Sequence, residues 1–111
     1  MTDLKSKTCE ACRADAPRAT PQQTKEYMAQ LPGWNIIEVD GIKRLQKIFS
    51  FKDFGEALSF TNEVGDIAEE EGHHPAILTE WGKVTVNWWT HKIKGLHAND
   101  FVMAAKTDSL K

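Results

Sequence analysis

The sequence predicts an α+β fold, a four-stranded antiparallel sheet with three helices on one face, in the order α-β-β-α-β-β-α. Three observations carry it. Apolar residues recur near every 3.6 positions in three separate stretches. Two pairs of stretches are instead rich in β-branched and aromatic residues with period-two alternation. A short turn containing glycine joins the members of each pair, Asp40-Gly41 in the first and Trp81-Gly82 in the second.

Residues 1–19 carry Ala, Pro, Arg and Asp without periodicity and read as a poorly ordered lead-in to a single domain over residues 20–111. The first helix follows. Thr20 caps it, Pro21 suits its first position, and Gln23 completes a capping box. Tyr27, Met28 and Leu31 share a face, and Leu31-Pro32-Gly33 ends the helix. Residues 34–39 and 42–51 form the first hairpin. Leu45, Phe49 and Phe51 have one parity there, interrupted by Lys47. Asp53 caps the second helix, with Glu56 three residues on. Ala57, Phe60, Val64, Ile67 and Ala68 make its apolar stripe, and Gly72 stops it. Residues 76–80 and 83–90 form the second hairpin, with Val84, Val86 and Trp88 on one side and Thr85, Asn87 and Trp89 on the other. Residues 98–106 form a short helix with Phe101, Val102 and Ala105 on one side. Paired hairpins separated by a helix give one antiparallel sheet whose helices cover one face.

Composition narrows the function. The 111 residues are 41% hydrophobic and 27% charged, within the globular range. The net charge is −2, from 14 basic and 16 acidic side chains, which leaves no electrostatic footprint for nucleic acid. No apolar run approaches the ~20 residues that span a bilayer. Residues 1–7 lack the apolar stretch of a signal peptide, so a cytoplasmic location is expected. Cys9 and Cys12 form a C-x-x-C pair. One pair supplies two of the four ligands of a closed zinc site, and no strand and helix flank it as in a thioredoxin-like motif. Reduced thiols on a mobile tail are the simpler reading, with a metal bridging subunits as the alternative.

Chemistry concentrates in histidines. His73 and His74 follow Gly72 at the end of the second helix, and His91 leaves the fourth strand. The hairpin brings both to the same end of the sheet. Glu69 precedes His73 by four residues, so a helix persisting that far would put the carboxylate beside that imidazole. Imidazole exchanges protons near neutral pH, and a carboxylate partner fixes its tautomer. Each residue also has a plain explanation. His73 is a cation at a helix C-terminus, His74 a loop residue, His91 a strand end, Asp100 a first-turn acid, and His97 a cap without further role. A His-His-carboxylate metal site is a further alternative, although adjacent histidines diverge and no H-x-H or H-x-x-x-H spacing is present.

The spacing itself is specific: Glu69, three residues, His73-His74-Pro75, five residues, Trp81, nine residues, His91, eight residues, Asp100. It resembles the signature of the pterin-4a-carbinolamine dehydratase family. Leu31-x-Gly33-Trp34 and Phe51-x-Asp53-Phe54 are similar to the family as well, and the resemblance covers about residues 20–108. The Cys9-x-x-Cys12 tail resembles bacterial members that accompany phenylalanine hydroxylase. The resemblance implies four antiparallel strands with three helices on one face, dimers often paired into tetramers, and no metal or organic cofactor. It implies dehydration of 4a-hydroxytetrahydropterin to quinonoid dihydropterin. His73 and His91 would be the acid–base pair, and His74, the third catalytic histidine, would hold the pterin or assist. Glu69 would orient His73, and Pro75, Trp81 and Asp100 would support the site or the substrate. Ile77 stands where animal members carry an aromatic, and Trp88-Trp89 is bulkier than the family pattern. Two other functions share this resemblance. One is a dimerisation or regulatory module, as animal relatives are for a transcription factor. The other is service to a different pterin, such as one in molybdenum cofactor metabolism.

Overall fold

The computed structural model describes residues 18–111. Residues 1–17, with the Cys9-x-x-Cys12 pair and most of the lead-in, lie outside the described residues. The elements are α1 (Pro21–Met28), β1 (Asn35–Val39), β2 (Ile42–Ser50), α2 (Phe54–Glu71), β3 (Ala76–Glu80), β4 (Lys83–Trp88) and α3 (Ala98–Asp108). Every neighbouring strand pair is antiparallel and the strand order is β1-β2-β4-β3, so the fold class is the one the sequence predicts.

Local chemistry sets the boundaries. Thr20 Oγ1 accepts from the Gln23 amide at 3.1 Å while Gln23 Oε1 accepts from the Thr20 amide at 2.9 Å, the reciprocal capping box. Asp53 Oδ1 accepts from the Glu56 amide at 2.8 Å and starts α2. Asp40 and Gly41 both have positive φ, 53° and 79°, as a two-residue primed turn requires. Gly72 ends α2 in the left-handed region at φ 64°. Its amide bonds to the Glu69 carbonyl at 3.3 Å and the His73 amide to the Ala68 carbonyl at 3.1 Å, a Schellman closure.

The core lies between one sheet face and the helices. Leu45, Phe49, Val84, Val86 and Trp88 meet Ala57, Phe60, Val64 and Ala68 of α2 and Phe101, Val102, Met103 and Ala104 of α3. Lys47 breaks the inward stripe of β2 because its Nζ reaches Asp108 Oδ1 at 2.9 Å, and Trp34 Nε1 donates to the same carboxylate at 3.1 Å. Among the described residues no helix covers the opposite sheet face. There Gln46 donates to Asn87 across the strands at 3.2 Å, and Ile48 and Leu78 stand exposed.

Two segments depart from the sequence expectation. The fourth strand stops at Trp88, not at residue 90, because Thr90 pairs back onto Gly95 and residues His91–Ile93 form a short 3₁₀ turn. Arg18 and Ala19, assigned to the lead-in, are held against this loop. The Arg18 guanidinium donates to the Ile93 and Lys94 carbonyls, and the Ala19 amide to the Leu96 carbonyl.

Candidate active site

Three features of the chain converge at one end of the β3–β4 hairpin. The Schellman closure after α2 turns the backbone so that His73 enters the core and His74 stays outside. Pro75 then leads into β3. His73 is 1% exposed, with its ring stacked on Trp88 at 5.6 Å. Its Nε2 lies 2.7 Å from Asp100 Oδ1.

Asp100 is wholly buried in the first turn of α3, and its carboxylate organises the floor of the site. Oδ2 accepts from the Thr90 hydroxyl and from the His97 amide, each at 2.8 Å. A carboxylate holding those two donors leaves Oδ1 as an acceptor, so His73 presents Nε2–H to it. His97 caps α3 with its ring, Nδ1 accepting from the Asn99 amide at 3.0 Å.

The sequence expectation paired Glu69 with His73. The structure corrects this: Glu69 Oε1 meets His74 Nε2 at 2.8 Å, because the left-handed Gly72 breaks the helical register before His73 is reached. The His74 side chain is 59% exposed. His91, also exposed, directs Nε2 at the His74 carbonyl at 3.0 Å. Carbonyl and carboxylate oxygens accept, so both rings hold their proton on Nε2. Neither Nδ1 has a partner among the described residues.

Trp81 stands apart. It lies in the β3–β4 turn, the other end of the hairpin from the histidines, and is 73% exposed. Two residues next to the site were not singled out for it. Thr90 continues the inward parity of Val84, Val86 and Trp88, a signal available in the sequence. Arg44, whose guanidinium carbon sits 3.8 Å from the centre of the Trp89 ring, becomes a neighbour only through the β2–β4 register. Among the described residues no three or more His, Cys, Asp or Glu side chains converge to hold a metal ion. Among the described residues no helix is long and apolar enough to cross a membrane.

Residues 17–110 match the family model described as pterin 4 alpha carbinolamine dehydratase. The chain belongs to that family. A Nitrosococcus oceani relative, provisionally named a pterin-4-alpha-carbinolamine dehydratase, is 61% identical over 110 residues, spanning 99% of this chain and 97% of its own length. A Saccharophagus degradans relative with the same provisional name is 59% identical over equal coverage. A solved Brucella melitensis structure, described as a transcriptional coactivator/pterin dehydratase, is 32% identical with a TM-score of 0.75. It covers 85% of this chain and 98% of its own. The fold is shared further with a pterin dehydratase-like RuBisCO assembly factor of the alpha-carboxysome, 22% identical with a TM-score of 0.59 over 70% of this chain and 88% of that one. The dehydratase family thus accounts for nearly all the described residues, the histidine end of the hairpin included.

Proposed function

We propose that the protein is a hydro-lyase that removes water from 4a-hydroxytetrahydropterin, giving quinonoid dihydropterin and renewing the pterin spent in aromatic amino acid hydroxylation. One observation carries the reading. His74 and His91 are two exposed imidazoles tied to each other through the His74 carbonyl, each with Nε2–H engaged and Nδ1 unpartnered among the described residues. Dehydration needs a proton delivered to the 4a-hydroxyl as the C–O bond breaks. It also needs a proton withdrawn from a ring nitrogen as the C=N bond forms. Two neighbouring imidazoles supply both through Nδ1: one, as the imidazolium with a second proton on Nδ1, gives that proton to the departing hydroxyl, and the other, neutral, takes the ring-nitrogen proton onto its Nδ1.

Burial divides the roles differently from the sequence expectation. His73 is enclosed by Asp100, Trp88 and the loop after β4. We therefore assign proton exchange to His74 and His91, and to His73 the task of anchoring the segment that carries His74. Glu69 holds the His74 ring, Pro75 fixes the turn into β3, and Asp100 fixes His73. Trp81 has no part within this chain's own site. The substrate's flat ring lies against the exposed imidazoles, the reaction takes place in the cytoplasm, and phenylalanine hydroxylase is the proposed supplier. A homodimer or homotetramer would present several such sites. A second reading, a regulatory binding module, draws on the coactivator named in the Brucella description.

Stopped-flow absorbance of freshly generated 4a-hydroxytetrahydropterin tests this. Faster decay of the intermediate with micromolar protein, unchanged by EDTA, supports the metal-free dehydratase. No acceleration refutes it and leaves the binding module, and acceleration lost with EDTA calls for a metal.

A further inference from the structure

Trp89 stands beside the proposed site without a role in the chemistry. It follows β4 on the parity of Thr85 and Asn87, opposite to that of the inward Val84, Val86 and Trp88. Its ring centre is 4.4 Å from that of His91, the planes inclined by 33°. The Arg44 guanidinium carbon is 3.8 Å from the Trp89 ring centre. The indole thus packs against both the imidazole and the cation. The pairing follows from the register: Leu45 opposes Trp88, which makes Arg44 and Trp89 the next couple along the same two strands. Among the described residues the indole face is what holds Arg44, whose Nε is buried with no hydrogen-bond acceptor.

His91 needs such a support. It sits at the start of a 3₁₀ turn, exposed, with one ring hydrogen bond, Nε2 to the His74 carbonyl at 3.0 Å. A single hydrogen bond fixes where Nε2 points and leaves the ring free to turn about that direction. The indole plane removes this freedom. It thereby fixes where Nδ1, the proton-exchanging atom, faces.

We infer that Trp89, braced by Arg44, is a positioning residue that sets the ring plane of His91 for proton transfer. The inference rests on the proposed dehydratase reading, because its kinetic consequence needs His91 to exchange a proton with substrate. Misplacing a reacting group by about 1 Å costs on the order of 10²-fold in rate. Trp89→Ala is therefore expected to lower kcat by roughly 10–100-fold with little change in KM. Trp89→Phe, which keeps a face for His91, restores most of the rate. Arg44→Met, which keeps the stem and removes the cation, lies between.

The test joins kinetics of the purified full-length protein to proton NMR of the imidazoles. In the wild type the His91 ring protons, lying over the indole, are shifted upfield, and Trp89→Ala returns them to their ordinary position. That readout is independent of turnover. If the wild type shows the shift but does not dehydrate the carbinolamine, the functional reading has failed, and the positioning role for proton transfer is overturned with it while the stack stands. A wild type without the shift overturns the stack. A Trp89→Ala protein with full kcat overturns the positioning role, as does one whose loss is entirely in KM, since that places Trp89 on the substrate. Should Trp89→Ala fail to fold, Trp89→Phe and Arg44→Met decide: the inference fails if Trp89→Phe loses as much as His91→Ala, or if Arg44→Met leaves both kcat and the shift unchanged.

Discussion

Replacing Asp100 with asparagine probes the floor of the site with one atom changed. The carboxylate accepts three hydrogen bonds, two at Oδ2 from Thr90 and His97 and one at Oδ1 from His73. An amide has one acceptor oxygen. Placed at Oδ2 it keeps the Thr90 and His97 bonds, and its NH2 then faces the Nε2–H of His73, donor against donor. Either that bond is lost or His73 moves its proton to Nδ1. A hydrogen bond to a charged group contributes about 1.5–3 kcal/mol, and the two that survive weaken when the charge goes. The expected destabilisation is about 2–4 kcal/mol, a large share of the ~5–15 kcal/mol that holds a domain folded. Urea titration reads it as a lower midpoint at unchanged slope. Nitrogen-15 spectra of the imidazoles read the tautomer of His73. An Asp100→Asn protein within about 0.5 kcal/mol of wild type, with His73 still carrying Nε2–H, would refute the reasoning.

Three further outcomes follow from the same contacts. His74→Ala should leave stability within about 1 kcal/mol, because its pair with Glu69 is exposed, and should slow dehydration on the order of 10²-fold or more. Undiminished turnover removes His74 from the acid–base pair. Thr107→Val keeps the side chain's shape and takes away the acceptor of the buried Trp88 Nε1–H at 3.0 Å, so urea titration should show a loss of about 1–3 kcal/mol. Equal stability would mean that the bond contributes nothing net. Gly72→Ala meets no atom within 4 Å, yet forces a left-handed alanine at φ 64°, and should cost about 1–2 kcal/mol by the same measurement. A neutral result would show that the turn before His73 relaxes freely.

What the sequence made legible was local. Thr20 with Gln23, Asp40-Gly41, Asp53 and Gly72 each act within a few residues of themselves, and caps and turns depend on little else. The pairing of β2 with β4 closes a long loop, and no local pattern encodes it. Glu69 illustrates the boundary. Its four-residue spacing to His73 is a valid helical rule, and it fails because Gly72, itself correctly read as the stop, redirects the chain before the rule applies. Asp100 was recognisable as a first-turn acid. Its hold on His73 and Thr90 joins three segments that meet only in the folded chain. Lys47, an interruption in an apolar strand, became intelligible once Asp108 lay beside it.

That carboxylate has a consequence for how the protein is made. A ribosome that has released residues up to 97 has exposed all four strands, yet the nascent chain still lacks Asp108, which takes up Trp34 and Lys47, and Thr107, which accepts from Trp88. Until α3 emerges, a buried indole in the segment before β1 and another in β4 have no partner for their N–H groups. The inner face of the sheet therefore completes its buried hydrogen bonds only when α3 docks, which makes that docking the closing step of the domain's assembly.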